Sequence, residues 1–418
     1  MSSAVADVSY PDLYARWERG NWRATEIDFS EDRRHWHERM DDHQRRAALW
    51  NYSLFFHGEH AVAETLGPFI DAAPEPEQKY FLTTQQVDEA RHSIFFARFM
   101  TDVVGAGSDV RGALATTRPQ LTWGFRELFG RLDRMAAELR KDPTLPRLAA
   151  GVTLYHIIIE ASLAQPGQHV IEGYLEETGM LPGLLEGMRR VSFDEQRHIG
   201  FGVRLLHDLV EREPACRDAV SDMIREAMRW VPSVFVPPGW DESYATVFGF
   251  TLEDVYASAA ESLEQKLRAA GLPPEELNGA LPYSMESTPR ERAAGLLTML
   301  KAGIIGEKTG PPAHDPEAVA LFFDAVRMSI DHRHAPKRRS TILWDFTDHE
   351  PWHLVVQNGS AEVAPGRVDA DLAFRCRLEG FLDVSTGRED PALAILKRRM
   401  RPRGSMRLLV RMQKMFGG

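Results

Sequence analysis

Two cysteines, Cys216 and Cys376, are all that 418 residues carry. That is too few for a disulfide scaffold or a cysteine metal cluster, and it fits a reducing cytoplasm. Positive charge is also short: 50 Lys+Arg against 61 Asp+Glu leave a formal charge of -11. Such a balance repels a phosphate backbone, which removes nucleic acid from the partners to consider. Long apolar runs are missing, since no stretch of about 18 residues is free of charge or helix punctuation. Met1 to Asp12 contain no apolar core of a secretory leader. There is no internal repeat and no low-complexity tract. What remains is a chain of ordinary globular proportions, 43% hydrophobic and 27% charged, read as soluble, cytoplasmic and long enough for two or three domains.

From about Arg33 to Ala270 the apolar residues recur at three- and four-residue spacing, broken by Pro and Gly. The pattern predicts helices over His35 to Asp71, Glu77 to Val104, Thr122 to Lys141, Asp142 to Glu177 with a kink at Gln165-Pro166-Gly167, Pro182 to Val210, Pro214 to Trp230, and Leu252 to Ala270. After Gly271 a run of prolines reads as connector. From about Asp315 a helix is followed by short alternating runs, Thr341 to Phe346, Trp352 to Gln357, Ala361 to Val363 and Asp371 to Arg377, read as antiparallel strands. Asn358-Gly359 marks a hairpin and Pro365-Gly366 a turn, and helices over Pro391 to Met400 and Met406 to Phe416 close the chain. The expected organisation is mainly α: a helical domain over 30-271, a connector over 272-314, and a small α+β domain over 315-418.

The chemistry is carried by carboxylates and histidines. Glu89-Ala-Arg-His92 and Glu195-Gln-Arg-His198 are two copies of Glu-x-x-His on separate predicted helices. Residues three apart lie about 60° from one another around a helix, so each pair can converge on one ion. Two further glutamates, Glu59 and Glu160, sit inside strongly apolar helical sequence, where a lone buried anion would be costly. Four carboxylates offer about as much negative charge as two divalent cations cancel, and two neutral imidazoles complete the set. One Glu from each of two helices plus a Glu-x-x-His from each of two others is the donor set of a dinuclear carboxylate site in a four-helix bundle. The expected metal ligands are Glu59, Glu89, His92, Glu160, Glu195 and His198. His57, His60, His156 and His169 fall at helical offsets that face elsewhere and are read as packing residues, and Arg91 and Arg197 as partners of nearby acids.

At these residues the sequence resembles the ferritin-like superfamily, and within it the ligand-binding oxidases related to the ribonucleotide reductase small subunit. Gly58-Glu59-His-Ala-Val62 is similar to their first-ligand motif, whose valine is joined by an ether bond to a tyrosine five residues before the third-helix glutamate. Here those partners are Val62 and Tyr155. Asp194-Glu195-Gln-Arg-His198-Ile-Gly-Phe-Gly202 resembles their fourth-helix signature, in which the aspartate orients the histidine of the other helix, here His92. The resemblance covers about Trp36 to Ala270. It implies a manganese-iron or diiron pair, dioxygen activation, a bound long-chain fatty acid or similar hydrophobic molecule, a homodimer and a reductant protein.

Ile342 to Phe346, Trp352 to Gly359, Asp369 to Cys376 and Leu378 to Leu382 resemble a sterol-carrier-protein-like lipid domain, over about Glu317 to Gly418. Between Arg388 and Gly418 there are nine Lys/Arg against Glu389 and Asp390, a basic amphipathic end suited to peripheral contact with an anionic membrane or to a solvated helix face. The leading expectation is therefore a dinuclear oxidase or oxygenase acting on a lipid-like substrate. The alternatives are a diiron N-oxygenase or desaturase of a biosynthetic pathway and, outside catalysis, a lipid-binding carrier. A true reductase subunit would need a tyrosine in its C-terminal tail, and Arg411-Met-Gln-Lys-Met-Phe-Gly-Gly418 has none.

Overall fold

The computed structural model describes residues 9–417. Met1 to Val8 of the leader reading, and Gly418 at the end of the basic segment, lie outside the described residues. The chain divides into two compact units, one running up to Val220 and taking in Val234–Leu272, the other comprising Ser221–Ser233 and the chain from Pro273 onward.

The first unit is helical. Helix α1 (Tyr10–Gly20), which the sequence reading did not include, is capped by the Ser9 hydroxyl accepting from the Asp12 amide. Then come α2 (Asp42–Thr65), opened by an Asp41/Gln44 capping box, α3 (Pro76–Arg98), α4 (Trp123–Lys141), the long α5 (Leu145–Thr178), α6 (Pro182–Arg212) and α7 (Leu252–Ala269). The expected helix over His35 to Asp71 is in fact three pieces. A π turn at His35–Arg39 precedes α2, and Gly67–Ala72 is separate, restarted at Pro68. Helix α5 is long and apolar enough to cross a membrane by composition, yet 89% of its most apolar window is buried inside the protein. It is the central helix of a bundle.

Inside α5 the backbone is π-helical from Thr153 to Ala164, and α geometry resumes at Gln165. The irregularity expected at Gln165-Pro166-Gly167 thus lies upstream of it. The Ser162 hydroxyl donates to the Ile157 carbonyl at 2.6 Å, five residues back. Such wide turns shift the side-chain register and recur at functional sites, and this one contains both Tyr155 and Glu160. Packing of α5 on α6 is close: a Cβ at Gly202 would sit 2.2 Å from the His156 Cβ, so only glycine fits there.

The second unit holds α8 (Pro289–Lys301), α9 (Pro316–Met328), β1 (Ser340–Phe346), β2 (Trp352–Gln357), β3 (Ser360–Pro365), β4 (Leu372–Cys376), α10 (Leu378–Ser385), α11 (Pro391–Leu396), β5 (Met400–Gly404) and α12 (Met406–Met415). Its sheet has the order β3-β2-β1-β4-β5. Three expectations change. Helix α8 lies within the stretch read as connector, capped by a Thr288/Glu291 box that the prolines around it obscure. The strands are not all antiparallel: β4 returns beside β1 and runs parallel to it, because β2 and β3 act as the crossover. The helix read through Met400 stops at Leu396, and Met400–Gly404 pairs with β4 as a fifth strand. The Asn358-Gly359 turn is as expected, with both residues at positive φ, 49° and 81°.

Candidate metal centre

Helices α2, α3, α5 and α6 deliver the six predicted ligands to one place. Glu59, Glu89, His92 and Glu195 form one group, and Glu89, Glu160, Glu195 and His198 a second, with one donor atom from each residue within 4.8 Å of the others. Glu89 and Glu195 belong to both groups, so each would be shared if two ions were held. All six are buried. His92 Nδ1 lies 3.2 Å from Glu59 Oε2 and 3.5 Å from both Glu89 and Glu195. His198 Nδ1 lies 3.1 Å from Glu89 Oε1, 3.3 Å from Glu195 Oε1 and 3.8 Å from Glu160 Oε1.

Electrostatics describe a site short of positive charge. Burial pushes the Glu59 carboxyl up to about 8. Burial also holds Glu160 well above the usual carboxylate range, reinforced by the charge of Glu195, and raises Glu195 as well. Against their own burial, His92 and His198 are held well above the usual imidazole value by the carboxylates around them, and Glu89 is held low by both imidazoles. Glu160 Oε2 is buried with no hydrogen-bond partner among the described residues, and a buried polar atom of that kind calls for an explanation such as an ion. Oxygen and imidazole donors, charge close to that of two divalent ions, and this orphaned oxygen together fit a dinuclear centre.

The supporting residues form a nearly two-fold pattern. His92 Nε2 faces Asp194 Oδ2 at 3.2 Å, and His198 Nε2 faces Asp88 Oδ2 at the same 3.2 Å. Arg197 bridges the two aspartates, and Arg91 pairs with both. Each aspartate also accepts an indole N–H from the N-terminal segment: Trp22 donates to Asp194 at 2.8 Å and Trp17 to Asp88 at 2.9 Å. Asp88, Trp17 and Trp22 were missed from sequence. The signal for Asp88 was present, because the repeat is longer than Glu-x-x-His: Asp88-Glu-x-Arg-His92 and Asp194-Glu-x-Arg-His198 match at four positions. A hydrogen bond to the distal imidazole nitrogen fixes the ring and leaves Nδ1 to bind metal.

Tyr155 is buried, and its hydroxyl donates to Glu89 Oε1 at 2.7 Å. Gln85 Nε2 bridges the Tyr155 hydroxyl and Glu160 Oε1, at 2.9 Å each. Val62 lines a cavity with about 570 Å³ of empty space, mouth included, walled by Leu54, Phe55, Phe125, Phe129 and Phe235 among others. Its polar lining is Glu59, Glu89, Glu160 and Glu195. Among the other histidines, His57 bonds to Thr117, His156 is buried against Gln85, and His169 is exposed.

Residues 5–230 match the family model of the ribonucleotide reductase small chain, and the chain belongs to that family. Residues 332–417 match the SCP-2 sterol transfer family, so the C-terminal part is an SCP2 domain. Among solved structures, a valine-to-leucine variant of the R2-like ligand-binding oxidase, with an aerobically reconstituted Mn/Fe cofactor, is similar at a TM-score of 0.55 and 22% identity, covering 63% of this chain and 93% of that one. A valine-to-alanine variant with an anaerobically reconstituted Mn/Fe cofactor gives a TM-score of 0.53 at 24% identity, covering 64% and 94%. These likenesses establish the ferritin-like fold.

Proposed function

We propose that this protein is a dioxygen-activating oxidase or oxygenase with a dinuclear metal centre, Mn/Fe or diiron, held by Glu59, Glu89, His92, Glu160, Glu195 and His198. The observation that carries the reading is the pair of four-residue groups sharing Glu89 and Glu195 at the polar end of an apolar cavity. When bound, the two ions supply the electrons that reduce dioxygen and the oxidising power that breaks a strong C–H bond. The protein supplies the rest. Phe55, Phe125 and Phe129 exclude water and hold a hydrocarbon chain, while the glutamates orient its polar head. Asp88 and Asp194 fix the tautomer of each ligand imidazole. Gln85 holds the Tyr155 hydroxyl and Glu160 in register.

The substrate class is lipid-like, because the cavity wall offers hydrocarbon contacts and polar groups only from the four glutamates. Val62, on that wall, and Tyr155, anchored to Glu89, are the partners of a self-formed ether link. Its formation removes the phenolic hydrogen and one valine hydrogen, both passing with two electrons to dioxygen. The SCP2 domain holds or delivers a hydrophobic ligand, and the enzyme works as a cytoplasmic homodimer served by a separate reductant protein. The test is anaerobic loading with iron and manganese, metal analysis, exposure to air and intact-mass spectrometry. Two metals per chain and a loss of two hydrogens are expected. Metal without the mass change removes the ether link and favours the N-oxygenase or desaturase, and no metal uptake removes the enzyme reading altogether.

A further inference from the structure

We propose that residues 393–414 of the C-terminal unit form a docking face for an anionic lipid bilayer. Four of the large hydrophobic side chains that the fold leaves exposed fall in this short stretch: Leu393 at 40%, Leu396 at 79%, Met406 at 65% and Val410 at 59%. They are not failed core residues. On α12 the core side is taken by Leu408 and Met415, and Met406 and Val410, four apart, make a separate ridge on the outward side. Arg407, Arg411 and Lys414 flank that ridge.

Positive charge on this face has been left unneutralised. The two acids that precede the segment are already engaged, Glu389 with Lys397 and Arg399, and Asp390 as the cap of α11. Arg398, Arg401, Arg403, Arg407, Arg411 and Lys414 have no acidic ion-pair partner among the described residues. On the sheet, Arg401 of edge strand β5 sits directly opposite Arg375 of β4, a like-charge pairing that costs stability unless an anion comes between. Arg398, in the turn between α11 and β5, has φ 58° as the left-handed cap of α11, with the Arg399 amide donating to the Ala394 carbonyl at 2.9 Å. Leu396 stands just before that turn.

Cations interleaved with exposed aliphatic side chains match a bilayer interface, which offers anionic headgroups and an acyl boundary together. A nucleic acid or an acidic protein surface would use the arginines and leave Leu396 and Met406 in water. The remainder of the protein is acidic, so the same membrane repels it and one orientation is selected. The face stands apart from the metal reading, because docking is assayed on metal-free protein.

The full chain is floated with phosphatidylcholine vesicles with and without phosphatidylglycerol, across a salt series. Binding is expected only to the phosphatidylglycerol vesicles, released as salt screens the charges. Arg401→Glu/Arg403→Glu/Arg407→Glu abolishes it, and each single Arg→Gln lowers partitioning by about fivefold. Leu396→Ser/Met406→Ser weakens binding and leaves its salt dependence in place. These are surface positions, and circular dichroism verifies the fold of each variant. Equal binding to neutral vesicles, no binding at low salt, or binding retained in the triple charge reversal overturns the proposal. So does capture by polyglutamate with none by vesicles, which makes the face a protein-docking surface.

Discussion

The two units differ in what lies at their centres. At the centre of the bundle lie four glutamates, two aspartates, two histidines and Arg197, while the centre of the C-terminal unit is a set of rings, with Phe323 stacked on Trp352 at 4.4 Å and beside Phe381 at 5.3 Å. Hydrophobic burial stabilises the second arrangement directly. The first is costly by itself, and the protein tolerates it only because each charge has a partner or awaits one.

Removing a shared carboxylate breaks the contrast most severely. Glu195→Ala takes a donor from both groups, so metal content falls from two per chain to one or none by elemental analysis, whereas Glu160→Ala spares the Glu59/His92 group and retains one ion. In the ring core, Phe323→Ala costs about 3–5 kcal/mol of stability, read by denaturant unfolding, while metal content per folded chain stays unchanged. Adding metal at about 100 times its dissociation constant stabilises the bundle by about 2.7 kcal/mol. Calorimetry with and without chelator then shows the bundle's transition moving and that of the SCP2 domain staying. Asp88→Asn weakens metal binding about 10- to 100-fold in chelator competition, with Trp17→Phe a smaller change in the same direction.

The thiols report on each unit separately. Burial pushes Cys216 up to about 11 and Cys376 up to about 12. At pH 8 the thiolate fraction of Cys216 is about one in a thousand, and that of Cys376 lower. Alkylation therefore waits for unfolding, and its pH dependence follows the ordinary thiol value of about 8.5 in the opened chain rather than the raised folded values. In Phe323→Ala, Cys376 is labelled first. The smallest effect is Gly359→Ala, about 1 kcal/mol from the positive φ of the hairpin, against no change in the bundle.

Much of the site was legible because helical periodicity makes spacing a statement about faces. Glu89 and His92, or Glu195 and His198, share a face whatever surrounds them. Glu59 and Glu160 stood out as charges inside apolar sequence. Trp17 and Trp22 were invisible for the converse reason: their partners are 71 and 172 residues away, and nothing local in an indole announces a distant aspartate. Likewise β5 was missed, with only Met400 read as a helix end, because Met400 to Gly404 has little strand pattern of its own and is extended only by pairing with β4. The parallel register of β1 and β4 is a property of the crossover, and no window of sequence contains it.

By itself the sequence determined which helices carry donors, how those donors are spaced, and where the composition turns from bundle to sheet, since these follow from local periodicity and turn chemistry. Only the tertiary structure decided that Glu89 and Glu195 are shared between two groups, that each histidine is backed by an aspartate and an indole, and that the polar end of the apolar cavity is this site. Those are relations among residues far apart in the chain, and the free energy that selects them exists only once the surrounding helices have excluded water.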